Sequence, residues 1–242
     1  MELERLLRSQ GFGSRAESRA LVWAGRVSVA GEICDDPLAR FEPEGLVFSV
    51  DDVSWDYRKF AYLALNKPAD YECSRRPLHH PSVYSLLPEP LLKRGVQAVG
   101  RLDQDATGLL LVTDDGSFIH KCTSPRKQIP KLYEVITRHV VDDEQISALL
   151  SGVQLHDDPQ AVAAAACVRL NERCLQLTVT QGRYHLVKRM VAAAGNRVEA
   201  LHRASIGGLT LPESLAAGQW MWLDAPELAL LALNQRMDSS AE

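Results

Sequence analysis

Apolar residues near the start of the chain recur at helical spacing and then give way to short strand-like runs. Leu3, Leu6 and Leu7 lie on one face of a predicted helix. Ser14, with Glu17 three residues later, is typical of a capping box, so a second helix is predicted to begin there. Two short strands are predicted to follow, at residues 26–29 and 47–50.

Longer strand-like runs occupy the rest of the chain. Phe60–Leu65 and Leu109–Val112 are almost entirely apolar, which is typical of buried strands, and Lys131–Thr137 alternates with period two. Residues 142–150 predict a short helix, whereas residues 161–170 fit either a helix or a strand. Because strands outnumber helices, the sequence predicts a mixed, mainly antiparallel α+β fold.

The patterns divide the chain into two predicted domains. Residues 1–58 form a small α/β module, and residues 59–237 form a larger mixed-sheet domain. The acidic, tryptophan-containing stretch 51–59 is interpreted as the linker between them. Residues 238–242 are predicted to be a frayed tail.

Composition excludes several classes of protein. The 242 residues are 46% hydrophobic and 24% charged, and no apolar run is long enough to span a membrane. The acidic, helical amino-terminal segment does not resemble a signal peptide, so a cytoplasmic protein is expected. The five cysteines are scattered without a C-x-x-C pair, which argues against a zinc ribbon and against a disulfide framework.

The net charge of −4 is unusual for a nucleic-acid-binding protein, but the charges are unevenly distributed. Basic residues concentrate in residues 120–133 and 181–203, while acidic residues cluster elsewhere. The chain is therefore expected to present a positive face on an acidic body. The alternative is that these lysines and arginines are simply solvated.

The most informative stretch is Val99–Gly116. It places Asp103 two residues after Arg101 and shortly before a Thr-Gly turn and a buried strand. A carboxylate at such a junction is held by the scaffold yet open to a cleft, which suits a reacting or orienting group. The alternative is a solvated loop in which Arg101 pairs with Asp103.

Residues 100–109 resemble the signature Gly-Arg-Leu-Asp-x-x-Thr-x-Gly-Leu of the pseudouridine synthases, in the RsuA branch, with Ala106 replacing the threonine. Other segments match that family in the same order along the chain. These are Leu65–Pro68, Thr123–Arg126, Lys131–Val135, Gly182–Met190, Gly195–Val198 and Leu201–Arg203. Agreement over several ordered segments is far more specific than one motif.

The amino-terminal module resembles the S4 RNA-binding module, on Ser-Arg at 14–15 and Gly-Arg-Val-x-Val-x-Gly at 25–31. The resemblance implies phosphate contacts from three arginines on or beside one helix face: Arg15, Arg19 and Arg26. The alternative is an amphipathic helix whose arginines only solvate it. The chain departs from the family at Glu2 and Glu4, where a basic residue is common.

The family resemblance also implies catalytic roles. Asp103 would be the essential carboxylate, as a nucleophile or as a stabiliser of the sugar cation, with Lys188 as the cation beside it. Tyr133 would stack on the uracil and assist proton transfer. Taken alone, Lys188 could equally bind a phosphate, and Tyr133 could be an ordinary strand aromatic.

The remaining roles concern RNA contact. Arg101 would hold the flipped nucleotide, unless it pairs with a neighbouring aspartate, and Leu186 would pack against the stacked rings, unless it is plain core. Lys67 would support the cleft or bind a phosphate, with a structural role equally open. Three further cations are candidate RNA contacts: Arg126, Arg189 and Arg203. The histidines lack metal-ligand spacing, so neither a metal nor a cofactor is expected.

The implied activity is isomerisation of one uridine in 16S ribosomal RNA, either free or within an assembling small subunit, by base flipping. One alternative is the same reaction on a 23S ribosomal RNA uridine. The other is a noncatalytic S4-type RNA-binding or ribosome-assembly protein. Nothing in the sequence demands more than a monomer.

Overall fold

A computed structural model describes residues 1–156 and 158–231. The chain forms two compact units. Unit 1 contains Met1–Ala61, Leu87–Gln97 and Thr113–Asp115, and unit 2 contains the rest of the described chain. The predicted module at residues 1–58 lies within unit 1, but two later segments of the chain complete that unit. The predicted tail at residues 238–242 lies outside the described residues.

The helices lie at both ends and between the strands. They are α1 (Leu3–Ser9), α2 (Arg15–Trp23), α3 (Glu89–Arg94), α4 (Gly116–Thr123), α5 (Asp143–Ser151), α6 (Leu186–Ala193) and α7 (Ala225–Leu230). The strands are β1 (Val27–Val29), β2 (Glu32–Ile33), β3 (Val47–Val50), β4 (Val53–Asp56), β5 (Tyr62–Lys67), β6 (Gln97–Ala98), β7 (Thr107–Thr113), β8 (Lys131–Thr137), β9 (Ala166–Asn171), β10 (Cys174–Val179), β11 (Val198–Ile206), β12 (Leu209–Thr210) and β13 (Trp220–Trp222). Short 3₁₀ turns occupy Val83–Leu86 and Pro125–Lys127.

Unit 1 packs two helices on a four-stranded antiparallel sheet, with strand order β2-β1-β3-β4. The apolar face of α1 is fully buried, together with Val22, Val27 and Phe48. At the start of α2 the Ser14 side chain accepts from the Glu17 amide and the Glu17 carboxylate accepts from the Ser14 amide, as the capping-box prediction requires.

The linker prediction for residues 51–59 is wrong. Residues 53–56 form the edge strand β4, paired with β3 so that Trp55 faces Phe48. The Trp55 ring also contacts Phe12 edge to face, with ring centroids 5.4 Å apart. The acidic residues before this strand suggested an exposed linker. In the structure, Asp51 and Asp52 form the tight turn between β3 and β4, and both adopt the left-handed conformation.

A segment from the middle of the chain completes unit 1. Arg94, at the end of α3, forms a buried ion pair with Asp114 at 2.8 Å and donates to the Gln10 side chain at 2.8 Å. The Asp114 carboxylate also accepts from the Ala61 amide at 2.7 Å. Arg94 therefore links the end of α1, 84 positions earlier in the chain, to Asp114.

Unit 2 is built on a sheet with strand order β13-β5-β7-β11-β8-β10-β9, to which the short strands β6 and β12 add. Of the described pairings, all but one are antiparallel, so the predicted α+β class with a mainly antiparallel sheet is confirmed. Residues 161–170 fitted either a helix or a strand in the sequence analysis. In the structure their second half belongs to β9, which pairs with β10 at the edge of the sheet. In the described part of the chain, no helix has the length and apolar character that crossing a membrane requires.

The exception is the parallel pairing of β7 with β11, and it explains one glycine of the signature. Gly108 lies opposite Arg203 at a φ of +103°. A Cβ atom at this position would lie 2.4 Å from the Arg203 carbonyl oxygen, which is far inside van der Waals contact. Only glycine allows the two backbones to approach this closely.

Replacing Gly108 with alanine is expected to lower the free energy of unfolding by about 2–3 kcal/mol, because the strained φ and the backbone clash add together. The urea midpoint measures the loss. Gly116→Ala is the matched control, since a Cβ there meets nothing within 4 Å. Equal midpoints for the two variants would contradict this account of β7 and β11.

Candidate active site

A cavity of about 380 Å³ opens in unit 2 where the segments of the signature converge. Its volume falls in the range of small-molecule sites. The walls come from the loop before β7, from β8 and β11, and from the start of α6. The lining includes Arg101, Asp103, Tyr133, Leu186 and Arg203.

Asp103 lies in the loop that leads into β7, and its side chain is about 20% exposed. Two cationic or polar partners face its two carboxylate oxygens. The Lys188 ammonium lies 3.3 Å from Oδ2, and the His185 Nε2 lies 3.2 Å from Oδ1. The carboxylate is therefore oriented from both sides while it still faces the cavity.

Lys188 is shared between two carboxylates. Its ammonium donates to both oxygens of Asp105, at 2.6 and 2.8 Å, and so lies closer to Asp105 than to Asp103. Burial lowers the pKa of Lys188, but the hydrogen bond from Lys188 to Asp105 and the charges of Asp103 and Asp105 outweigh burial and raise it. Burial raises the pKa of Asp105, and the Lys188 bond outweighs this effect and lowers it.

Lys67 is completely buried, so of the alternatives for this lysine the structure favours the supporting role and not the phosphate contact. Its ammonium donates to the carbonyl oxygens of Pro68 at 2.9 Å, Gln104 at 2.9 Å and Ala106 at 2.7 Å. All three hydrogen bonds of the ammonium go to backbone carbonyls of the protein. Those to Gln104 and Ala106 hold the loop that carries Asp103. Burial lowers the pKa of Lys67, and nearby acidic groups oppose this shift.

Tyr133 and Arg203 meet on neighbouring strands. They lie opposite each other in the pairing of β8 with β11, and Nη1 of Arg203 lies 3.4 Å from the Tyr133 hydroxyl. Arg203 is only 2% exposed, and its Nε donates to the Leu109 carbonyl at 2.7 Å. Arg203 is thus a buried part of the cavity wall, so any contact that it makes with RNA would lie inside the cavity and not on the outer surface.

His185 is a site residue that the sequence analysis missed. Its backbone is left-handed, with a φ of +49°, at the cap position of α6. The exposed Tyr184 ring stacks on the imidazole, with centroids 3.7 Å apart. An αL histidine is uncommon, and this strained conformation directs the ring toward Asp103. Its place within the matched segment Gly182–Met190 was the available signal, but the spacing of the segment does not reveal the contact with Asp103.

The other predicted contacts are spread around the cavity. Arg101 is exposed at the rim, and in the described chain it forms no ion pair with Asp103 or Asp105. Leu186 is buried and lines the wall. Arg189 donates to the Tyr184 carbonyl at 3.4 Å, and Arg126 is exposed and does not line the cavity.

The arginines of unit 1 are paired with acids. Arg15 and Arg19 both bind the buried carboxylate of Glu4, and Arg26 pairs with Asp51 at 2.6 Å. The Arg19 hydrogen bond and the charges of both arginines lower the pKa of Glu4, against the opposing effect of burial. Two of these side chains remain more than half exposed, Arg15 at 61% and Arg26 at 53%. They are positioned on the surface but partly neutralised.

The described side chains that could bind a metal ion are not grouped together. Within residues 1–156 and 158–231, no cluster of three or more histidine, cysteine, aspartate or glutamate side chains is arranged to hold an ion. All five cysteines are free thiols in the structure.

Several proteins named as pseudouridine synthases are similar to this chain in sequence or structure. Residues 61–193 match the family model described as RNA pseudouridylate synthase. The ribosomal small subunit pseudouridine synthase A of Escherichia coli (strain K12) is 39% identical over 235 residues, covering 95% of this chain and 99% of that protein. The uncharacterized RNA pseudouridine synthase YtzG of Bacillus subtilis (strain 168) is 36% identical over 234 residues, covering 96% and 98%. A crystal structure of a pseudouridylate synthase matches with a TM-score of 0.68 at 31% identity, over 96% of this chain and 99% of that chain.

Replacing Lys67 with methionine is expected to lower the free energy of unfolding by about 3 kcal/mol, because three buried carbonyl oxygens lose a charged donor. Urea denaturation followed by circular dichroism measures the loss. Lys127→Met, at an exposed lysine of the same unit, is the control and should change stability by less than about 0.5 kcal/mol. A Lys67 variant as stable as the control would contradict the structural role.

Proposed function

Because the chain belongs to the RNA pseudouridine synthase family, in its RsuA branch, we propose that it converts one uridine of 16S ribosomal RNA to pseudouridine. The observation that carries the proposal is the Asp103 carboxylate, which faces a nucleoside-sized cavity between Lys188 and His185. The choice of small-subunit RNA rests on the similarity to the small-subunit enzyme of Escherichia coli.

The reaction needs no added reagent. The bond between N1 of uracil and C1′ of ribose breaks, the base turns, and C5 bonds to C1′. A proton leaves C5, and N1 gains one, so atoms and charge balance. Such a reaction requires a carboxylate and a way to hold the detached base, and in this proposal Asp103 and the cavity that it faces supply them.

Asp103 serves in its ionised form, either as a nucleophile or as the charge that stabilises the sugar cation. The Lys188 ammonium lies 3.3 Å from that carboxylate, and Asp105 fixes the ammonium in place. Lys67 acts indirectly, by holding the loop. These residues make up the ionic side of the site.

Tyr133 supplies an aromatic surface for the base. Its ring is 8% exposed and lines the cavity. A uridine reaches it only by leaving its stack, which costs a few kcal/mol that stacking on the ring and phosphate contacts offset. Arg101 at the rim is placed to hold the backbone of the flipped nucleotide, and Leu186 to pack beside the ring.

Unit 1 is proposed to act as an S4-type RNA-binding module. The exposed guanidinium groups of Arg15 and Arg26, together with the half-buried one of Arg19, would contact phosphates. Because Glu4 and Asp51 already pair with them, these contacts would be weaker than those of unpaired arginines. Arg126 and Arg189 are proposed to add contacts near the cavity.

The proposed reaction is tested by mapping pseudouridine on 16S and 23S transcripts after incubation with wild-type protein and with Asp103→Asn. One new site in 16S RNA is expected with wild type, and the variant is expected to lose about 10⁴-fold or more in rate because the ionised carboxylate is gone. Its affinity for RNA should stay within about twofold of wild type.

Glu213→Gln is the matched control, because it makes the same change at an exposed carboxylate of unit 2. A single site in 23S RNA would keep the reaction and overturn the target. No site in either RNA, nor in partly assembled small subunits, would favour a noncatalytic RNA-binding protein. Full activity in Asp103→Asn would overturn the assigned role of Asp103.

RNA binding by unit 1 is tested through its salt dependence. Arg15→Ala is expected to reduce the slope of log affinity against log salt concentration by about 0.7–0.9, which corresponds to one phosphate contact. Filter binding at several salt concentrations measures the slope. Arg40→Ala, at another exposed arginine of unit 1, is the control. Identical slopes for wild type and Arg15→Ala would argue against the S4 interpretation at this residue.

A further inference from the structure

Two basic side chains line the cavity from neighbouring strands. Lys131 lies two residues before Tyr133 on β8, so both side chains point to the same face of the sheet. Arg203 pairs directly with Tyr133 from β11 and faces the same way. All three residues line the cavity, so Lys131 and Arg203 flank the proposed stacking ring.

The guanidinium of Arg203 is only partly satisfied. Nε and Nη1 have partners in Leu109 and Tyr133, but Nη2 is buried and meets no hydrogen-bond acceptor among the described residues. A buried donor without an acceptor carries a free-energy penalty, and native structures leave few of them. An arginine that lines a ligand-sized cavity keeps such a donor at little cost if the ligand supplies the acceptor.

Lys131 is likewise without a carboxylate. Its ammonium donates to the Ile129 carbonyl at 3.0 Å, and it forms no ion pair with any acidic side chain in the described chain. The ionisable groups that face it are Arg203 from β11, Cys122 from α4 and Tyr133 from its own strand. Burial and the Arg203 charge lower the pKa of Lys131 to about 8, and the Cys122 thiol opposes this shift.

Two neighbouring cations with no acid between them repel each other and are costly to desolvate. The Asp103 group of this same cavity is arranged differently, because there every cation has a carboxylate partner. The contrast indicates that the missing negative charge beside Lys131 and Arg203 arrives with the substrate.

We propose that Lys131 and Arg203 bind the carbonyl oxygens of the target uracil and stabilise the negative charge that the base acquires when its glycosidic bond breaks. The inference rests on the proposed function and names two catalytic residues that the signature does not single out for this role. When the N1–C1′ bond breaks, its electron pair stays on N1, and the charge spreads onto the two carbonyl oxygens. The charge is consumed when C5 bonds to C1′, and loss of the C5 proton with protonation of N1 completes the isomer.

Preorganised donors stabilise the negative charge on the departing base effectively, because they are in place before that charge develops. A backbone phosphate is the other anion that two cations could hold. The burial of Arg203 and its bond to the Tyr133 hydroxyl favour the base, since the stacking ring and the free donor then contact one planar group.

The test compares Lys131→Met with Lys131→Arg on RNA that carries either uridine or 5-fluorouridine at the target position. Fluorine withdraws electrons and makes the departing base a more stable anion, so its release depends less on the cations. In single-turnover assays with saturating enzyme, Lys131→Met is expected to slow loss of the target uridine about 100-fold. Loss of 5-fluorouridine, followed by mass spectrometry of nucleoside digests, is expected to slow about tenfold or less.

The pH profile gives a second readout. The wild-type rate should fall as the pH rises through about 8, because Lys131 acts as its charged form. Lys131→Arg keeps the charge and should remove this alkaline decline. Lys121→Met, at an exposed lysine of α4, is the control for removing a positive charge near RNA.

Equal slowing on the two RNAs would overturn the inference, since a structural role does not depend on the leaving group. Weaker RNA affinity in Lys131→Met with an unchanged single-turnover rate would instead assign a phosphate contact. A wild-type rate that rises through pH 8 would make Lys131 a base and also overturn the inference. If wild type converts no uridine at all, the proposed function fails first, and this inference fails with it.

Discussion

The buried ammonium of Lys67 is the interaction on which the candidate site depends. It replaces water for the carbonyl oxygen of its neighbour Pro68 and for those of Gln104 and Ala106, in a loop that has no regular secondary structure of its own. An irregular segment under a cavity would otherwise leave these acceptors unsatisfied. Because one cation binds the residues on both sides of Asp105, it sets where the two aspartates of the loop emerge. The positions of Asp103 and Lys188 follow from that anchor.

The charges around the cavity form two groups with opposite roles. In one, Asp103 and Asp105 face Lys188 and His185, so the Lys188 ammonium has carboxylate partners within the protein. In the other, Lys131 and Arg203 stand without an acid. In the proposed reaction the sugar becomes more positive and the base more negative. The group with Asp103 would stabilise the sugar, and the group with Lys131 and Arg203 would stabilise the base. Neutralising either group would remove one of these two contributions.

Much of the scaffold could be predicted from the sequence, because local rules dominate there. The capping box at Ser14, the alternating strand at Lys131–Thr137 and the loop with Asp103 depend on neighbours in the chain. The misses depend on distant partners. The residues near Lys67 in the sequence do not indicate that the carbonyls of residues 104 and 106 bind its ammonium. Likewise, the sequence does not show that two helix arginines pair with Glu4, a residue at which the chain departs from the family pattern. The edge strand at Val53–Asp56 was hidden because exposed strands carry weak apolar signals.

Unit 1 is discontinuous along the chain, and this has a consequence for how the protein emerges during synthesis. Residues 1–61 leave the ribosome first, but Arg94 and Asp114, which tie the unit together, follow more than thirty residues later. At about 5–20 residues per second, the nascent amino-terminal helices wait several seconds for their last partners. Unit 1 therefore reaches its final form only after strands β5 and β7 of the sheet in unit 2 have been made. A chain that stops before Asp114 lacks the ion pair with Arg94, so the amino-terminal residues alone do not complete unit 1.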